Sequence, residues 1–115
     1  MLEILVATVA AFVLGGAYYA IFATEGSEMR PWMVAVEVLR CLVLVAVVAG
    51  LASEAGVDDV AGGLALGAAL FVGFPLVLWV GAVVHERTPV RTAVLHGGDW
   101  LVKLLVIGVI VSVGP

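Results

Sequence analysis

Five ionisable residues stand inside long apolar runs of this chain: Glu37 and Arg40 in one, His96, Asp99 and Lys103 in another. Carboxylates set beside bases can form ion pairs or pass protons, and with histidine they can ligate a metal. Glu37 and Arg40 are three residues apart, as are His96 and Asp99, while Asp99 and Lys103 are four apart. On a helix each set shares one face. The carboxylates and the strong bases balance, so the group can be neutral. That matters because an isolated charge at a bilayer centre costs at least about 2.5–3.5 kcal/mol. The expectation is that the two faces meet inside a bundle, through Asp99–Arg40 or Glu37–Lys103 contacts between helices. Such a cluster can be structural glue or a transport and proton-relay site, and the structural or assembly role is favoured. His85 and His96 lack facing ligand geometry, so no metal and no cofactor is expected, and His96 reads as an interfacial hydrogen-bonding residue.

The elements that must carry these residues follow from composition. Of 115 residues, 64% are hydrophobic and 12% charged. Mean hydropathy is +1.28. A soluble domain runs nearer half apolar and a quarter charged, so the solvent for most of this chain must be lipid. The net charge of −4 and the absence of a basic patch leave no reading as a nucleic-acid binder. Cys41, the single cysteine, reads as a small packed apolar residue.

Four apolar runs, at about 2–22, 32–51, 60–84 and 92–113, are each long enough to cross roughly 30 Å of hydrocarbon as a helix. The first lacks the basic start of a signal peptide and reads as a retained helix. Pro31 suits a first helical turn, Asp58 and Asp59 sit where caps of the third helix belong, and Thr88-Pro89 opens the fourth. Continuous apolar runs without alternation favour helices over a barrel. The expectation is all-α: one integral membrane domain over 1–115, an up-down bundle of four transmembrane helices with short loops.

Arg30, Arg87 and Arg91 lie in the first and third loops, whereas the second loop carries Glu54, Asp58 and Asp59. The positive-inside bias places loops one and three in the cytoplasm and both termini outside. Those arginines could instead hold an anionic lipid head group, though topology setting is the simpler reading. Tyr18, Tyr19, Trp32 and Trp79 then fall near one interface, as an aromatic belt would. Counting from the outer ends puts Lys103 and Arg40 roughly 15–16 Å deep and Asp99 and Glu37 roughly 21 Å deep. Acid is matched to acid and base to base, as the corners of a square.

Small residues suggest where backbones approach. Gly63 and Gly67 form a small-xxx-small pair, Gly15 and Gly16 lie on the first helix, and Gly97 and Gly98 flank Asp99, where they could admit another backbone. Gly73 and Pro75 should bend the third helix.

Two segments, FVLGGAYYAIF and GGLALGAALFVGFPLVLWVGAVVHERTPVRTAVLHGGDWLVKLLVIGVI, resemble a family of small bacterial membrane proteins known as domain of unknown function 1761. The likeness rests on Gly15, Tyr18 and Tyr19, on Phe71, Gly73 and Phe74, and on the Glu86-Arg87 turn leading through Pro89. Tyr18-Tyr19 stands where Trp-Tyr is expected, and Phe71 where Trp is expected. The resemblance implies a four-helix membrane domain in bacteria and no assigned activity.

No catalytic triad, phosphate loop or nucleotide fingerprint is present, so the chain is not expected to be an enzyme. The expected function is a non-catalytic helical subunit of the bacterial inner membrane. It would form a homo-oligomer or join other membrane subunits through its transmembrane helices. The alternative is a small proton-coupled, solute or lipid transporter using the charged cluster.

Overall fold

The computed structural model describes residues 2–22 and 30–113. Residue 1, the first loop at 23–29 and residues 114–115 lie outside that description. The elements are α1 (Leu2–Phe22), α2 (Pro31–Ala55), α3 (Val60–Gly73), α4 (Pro75–His85) and α5 (Val90–Val113). Among the described residues there is no strand. Taking α3 and α4 as one span, four helical spans are long and apolar enough to cross a membrane.

Local chemistry sets the ends. Arg30 is extended (φ −74°, ψ 152°) and Pro31 occupies the first turn of α2, where its missing N–H costs nothing. At the other end Gly56 is left-handed (φ 69°). Its amide donates to the Ser53 carbonyl at 3.2 Å, and the Val57 amide to the Ala52 carbonyl at 2.9 Å. That paired closure needs a residue without a Cβ penalty, and it extends α2 to Ala55, past the expected end at 51. Of the two aspartates expected to cap α3, Asp59 does so, its Oδ1 accepting from the Gly62 amide at 2.7 Å.

The third crossing is broken rather than bent. Phe74 leaves helical geometry (φ −124°, ψ −75°) between Gly73 and Pro75. Pro75 cannot donate, and its ring crowds the carbonyl one turn back, so the ladder restarts with Pro75 as a new first residue. The Phe74 amide still reaches the Leu70 carbonyl at 3.1 Å, and the Phe74 carbonyl accepts from Leu78 at 2.9 Å, so little hydrogen bonding is lost.

The helices alternate in direction, but they do not stand as four equal corners. α5 packs against every other helix, α1 and α2 pack on each other, and α3 joins α4. The result is a slab of 40 × 33 × 20 Å with α5 at its centre. One seam, between α3 and α5, is backbone against backbone. A Cβ built on Gly63 would lie 2.5 Å from the Gly108 carbonyl oxygen, and one on Gly67 2.5 Å from that of Leu104. Only glycine permits this approach. The other seam gathers Ala7 and Ala11 of α1, Cys41, Val45 and Val48 of α2, and Leu104 and Ile107 of α5 into a small-residue core.

Candidate functional site

The charged residues sit at the end of that second core nearer the starts of α2 and α5. Lys103 on α5 reaches Asp99, one turn back, with Nζ 3.0 Å from Oδ2. The same ammonium lies 3.7 Å from Glu37 Oε1 on α2. Glu37 Oε2 in turn accepts from Arg40 Nη1 at 2.7 Å. The four side chains therefore form a linear ladder, Asp99–Lys103–Glu37–Arg40, with alternating sign. Of the two cross-helix contacts foreseen, Glu37–Lys103 is present, while Arg40 turns to Glu37 on its own helix.

Exposure falls steeply along the ladder: the side chains are 61% exposed at Arg40, 24% at Glu37, 10% at Lys103 and 6% at Asp99. One end is core and the other faces out of the bundle. Gly15 of α1 makes the inner end possible. A Cβ there would sit 2.9 Å from Lys103 Cε and 3.1 Å from Nζ, so the lysine stem lies flat against a bare stretch of backbone. Cys41 is buried in the adjoining core, as its reading as an apolar filler requires.

His96 begins a second, aromatic cluster beside the ladder. Its Nδ1 and the Tyr19 hydroxyl share a hydrogen bond of 2.5 Å. Its ring stacks on Trp79 of α4, with centroids 5.0 Å apart and planes at 10°. Tyr18 meets Tyr19 edge-on at 5.5 Å. Tyr19 and Trp79, which the sequence offers as members of an interfacial belt, are half-buried and tie α1 and α4 to α5 through His96. The signal that could have found them is the aromatic pair at the end of α1 facing, in an antiparallel bundle, the start of α5. Among the described residues, Trp79 Nε1 is buried without a hydrogen-bond partner.

The glycines divide. Gly15, Gly63 and Gly67 make close approaches, and so does Gly108, which sequence reading passed over although it sits opposite Gly63. Gly98 admits the Tyr18 hydroxyl rather than another backbone. A Cβ on Gly16, Gly73 or Gly97 would meet nothing within 4 Å among the described residues. Gly97 is nonetheless buried, Gly16 is exposed, and Gly73 matters through its place before the break. Arg30, Arg87 and Arg91 are exposed and share the end of the slab where α2 and α5 begin. Arg87 adopts a left-handed conformation (φ 57°) in the turn between α4 and α5. Among the described residues, no group of three or more His, Cys, Asp or Glu side chains could hold a metal ion.

A family model described as "Protein of unknown function (DUF1761)" matches residues 2–112. The chain belongs to that family. Neither the curated proteins nor the solved structures contain a match to this DUF1761 chain. Membership and four apolar spans mark it as a membrane protein. The ladder can neutralise buried charge, hold α2 to α5, and present one cation outward.

Proposed function

We propose that this DUF1761 protein is a non-catalytic helical subunit of the bacterial cytoplasmic membrane. It associates with further copies of itself or joins a larger membrane assembly as an accessory chain. The observation that carries this reading is the outward end of the ladder. Charged side chains at membrane depth turn to a bundle interior or to a partner, yet Arg40 is largely exposed on α2. Buried contacts of α2 are confined to Cys41, Val45, Val48 and Ala52 on one stripe, which leaves the rest of the helix open to association. The three arginines at one end and Glu54, Asp58 and Asp59 at the other support an arginine end in the cytoplasm and termini outside. Native mass spectrometry of protein gently extracted from its own membranes tests the reading. Oligomers or co-purifying chains are expected, and a strict monomer would overturn it.

A proton-coupled carrier is the second reading. The Tyr19–His96 pair favours it, because it sets exchangeable protons beside the Asp99–Lys103–Glu37 ladder. Purified protein in liposomes would then move protons, and Asp99→Asn would stop the flux.

A further inference from the structure

His96 has two ring nitrogens, either of which can hold the proton of the neutral ring. Nδ1 shares its 2.5 Å hydrogen bond with the Tyr19 hydroxyl. Stacking on Trp79 at 10° fixes the plane of the ring. The direction of the bond to Tyr19 is decided on the far side of that hydroxyl.

There the hydroxyl faces the Asp99 carboxylate. Lys103 takes Oδ2 of that carboxylate at 3.0 Å. Oδ1 lies toward α1, 3.7 Å from where a Cβ on Gly15 would stand. Tyr19 is one turn on from Gly15 along the same face of α1. Among the described residues, the other groups around this point are Tyr18, edge-on to Tyr19, Trp79 of α4, and Glu37 of α2 behind Lys103. A phenol has one proton to give. With Nδ1 bare, His96 and the ionised Asp99 would compete for it and one would go without. Asp99 is only 6% exposed, so its acceptors must be met from within. With a proton on Nδ1, His96 donates to Tyr19, Tyr19 donates to Asp99, and both acceptors are met.

We infer that Tyr19 links His96 to Asp99 in a directed proton relay, with Nδ1–H as its first donor and Nε2 as the nitrogen that takes up protons. His96 lies roughly 9 Å along α5 from Val90, nearer the arginine end than Asp99. A proton bound at Nε2 frees the one on Nδ1. The Nδ1–H bond breaks as its proton passes to the Tyr19 oxygen, and the Tyr19 O–H bond breaks as its proton passes to Asp99 Oδ1. Histidine and tyrosine end neutral, Asp99 ends as the neutral acid, and Lys103 keeps Glu37 as its anion. The donors then run the other way, from Asp99 through Tyr19 to Nδ1, again with every proton assigned. The inference rests on the carrier reading for what the relay serves, whereas the order of the hydrogen bonds can be read without flux.

The test uses the full chain with isotope-labelled histidine in detergent micelles. Proton–nitrogen correlation NMR reads which nitrogen of the neutral ring carries hydrogen, and His85→Gln leaves His96 as the one histidine to assign. Nδ1 should carry the proton, and Tyr19→Phe should lose that preference. Tyr18→Phe, whose missing hydroxyl lies on Gly98 rather than on His96, should keep it. Where the wild type moves protons into liposomes, Tyr19→Phe should lower the flux at least about tenfold, within the roughly 10²–10⁴-fold that a positioned proton-transfer group contributes. A neutral His96 protonated at Nε2, an unchanged ring in Tyr19→Phe, or a flux undiminished by that substitution would overturn the inference. A wild type that moves no protons but carries Nδ1–H, lost in Tyr19→Phe, would instead defeat the carrier reading and leave the order of hydrogen bonds standing.

Discussion

Against α3, helix α5 presents glycine and bare carbonyl; against α1 and α2, it presents an ammonium and a carboxylate. Both seams lie within one helix, and lipid makes each workable. Hydrocarbon gives no hydrophobic drive for one apolar helix to leave it for another, so contact must come from close packing or from polar groups with nowhere else to go. The glycine seam depends on shape alone and has no outward end. The charged seam depends on neutrality, and its ladder continues to Arg40 at the surface. The lesson is that a purely steric seam can close on itself, while a chain of alternating charges carries its last member to whatever lies outside.

The contrast can be broken most severely at Lys103. Lys103→Leu leaves Asp99, 6% exposed, without its cation. Removing one partner of a buried pair costs about 3–5 kcal/mol, and unfolding in detergent should show a loss of that size. Replacing Lys103 and Asp99 together with leucines should restore much of it, since well-packed apolar residues often substitute for a buried pair at little cost.

The glycine seam should respond to volume and not to charge. Gly67→Val drives a side chain into the Leu104 carbonyl and should cost about 1–3 kcal/mol or more. Gly16→Ala, with open space around it, should stay within about 0.5 kcal/mol of the wild type. Gly15→Ala belongs between them, because Lys103 Cε is the far end of a flexible chain and can shift. Thermal unfolding of the three variants in one detergent ranks them.

How much of this was legible in the sequence depends on what reports each feature. The spans show in the length of apolar runs, and their ends in Pro31, Gly56 and Asp59, whose backbone chemistry is local. Glu37 and Lys103 could be brought together from depth and spacing alone. The central place of α5 could not be read in that way. α2 and α5 each carry a charged face, so that signal does not say which of the two takes the centre, and the other spans offer no amphipathic face to decide it. In water the most apolar helix would be buried. Here the least apolar span, α5, is the most buried, because lipid accepts the others. Gly73 and Pro75 signal a disturbed ladder but not the backbone angles that result, so a bend and the break at Phe74 look alike in sequence. Tyr19 and Trp79 were hidden because an aromatic at an interface and an aromatic against His96 look the same in sequence.

In the aromatic cluster the effect should be small as long as a ring is kept. Trp79→Phe keeps a ring against His96 and removes the buried Nε1 donor that has no partner. An unsatisfied buried donor costs about 1–3 kcal/mol, which offsets the lost ring area. Stability should therefore change by less than about 1 kcal/mol, whereas Trp79→Ala should lose about 3 kcal/mol or more.

The central claim is that Lys103 joins α5 to α2 through Glu37 while paired to Asp99. A double-mutant cycle with Glu37→Gln and Lys103→Met, read as unfolding free energy in detergent, tests it most directly. The account predicts a coupling of at least about 1 kcal/mol, the double variant losing less than the two single losses added. Losses that add to within about 0.3–0.5 kcal/mol would contradict it.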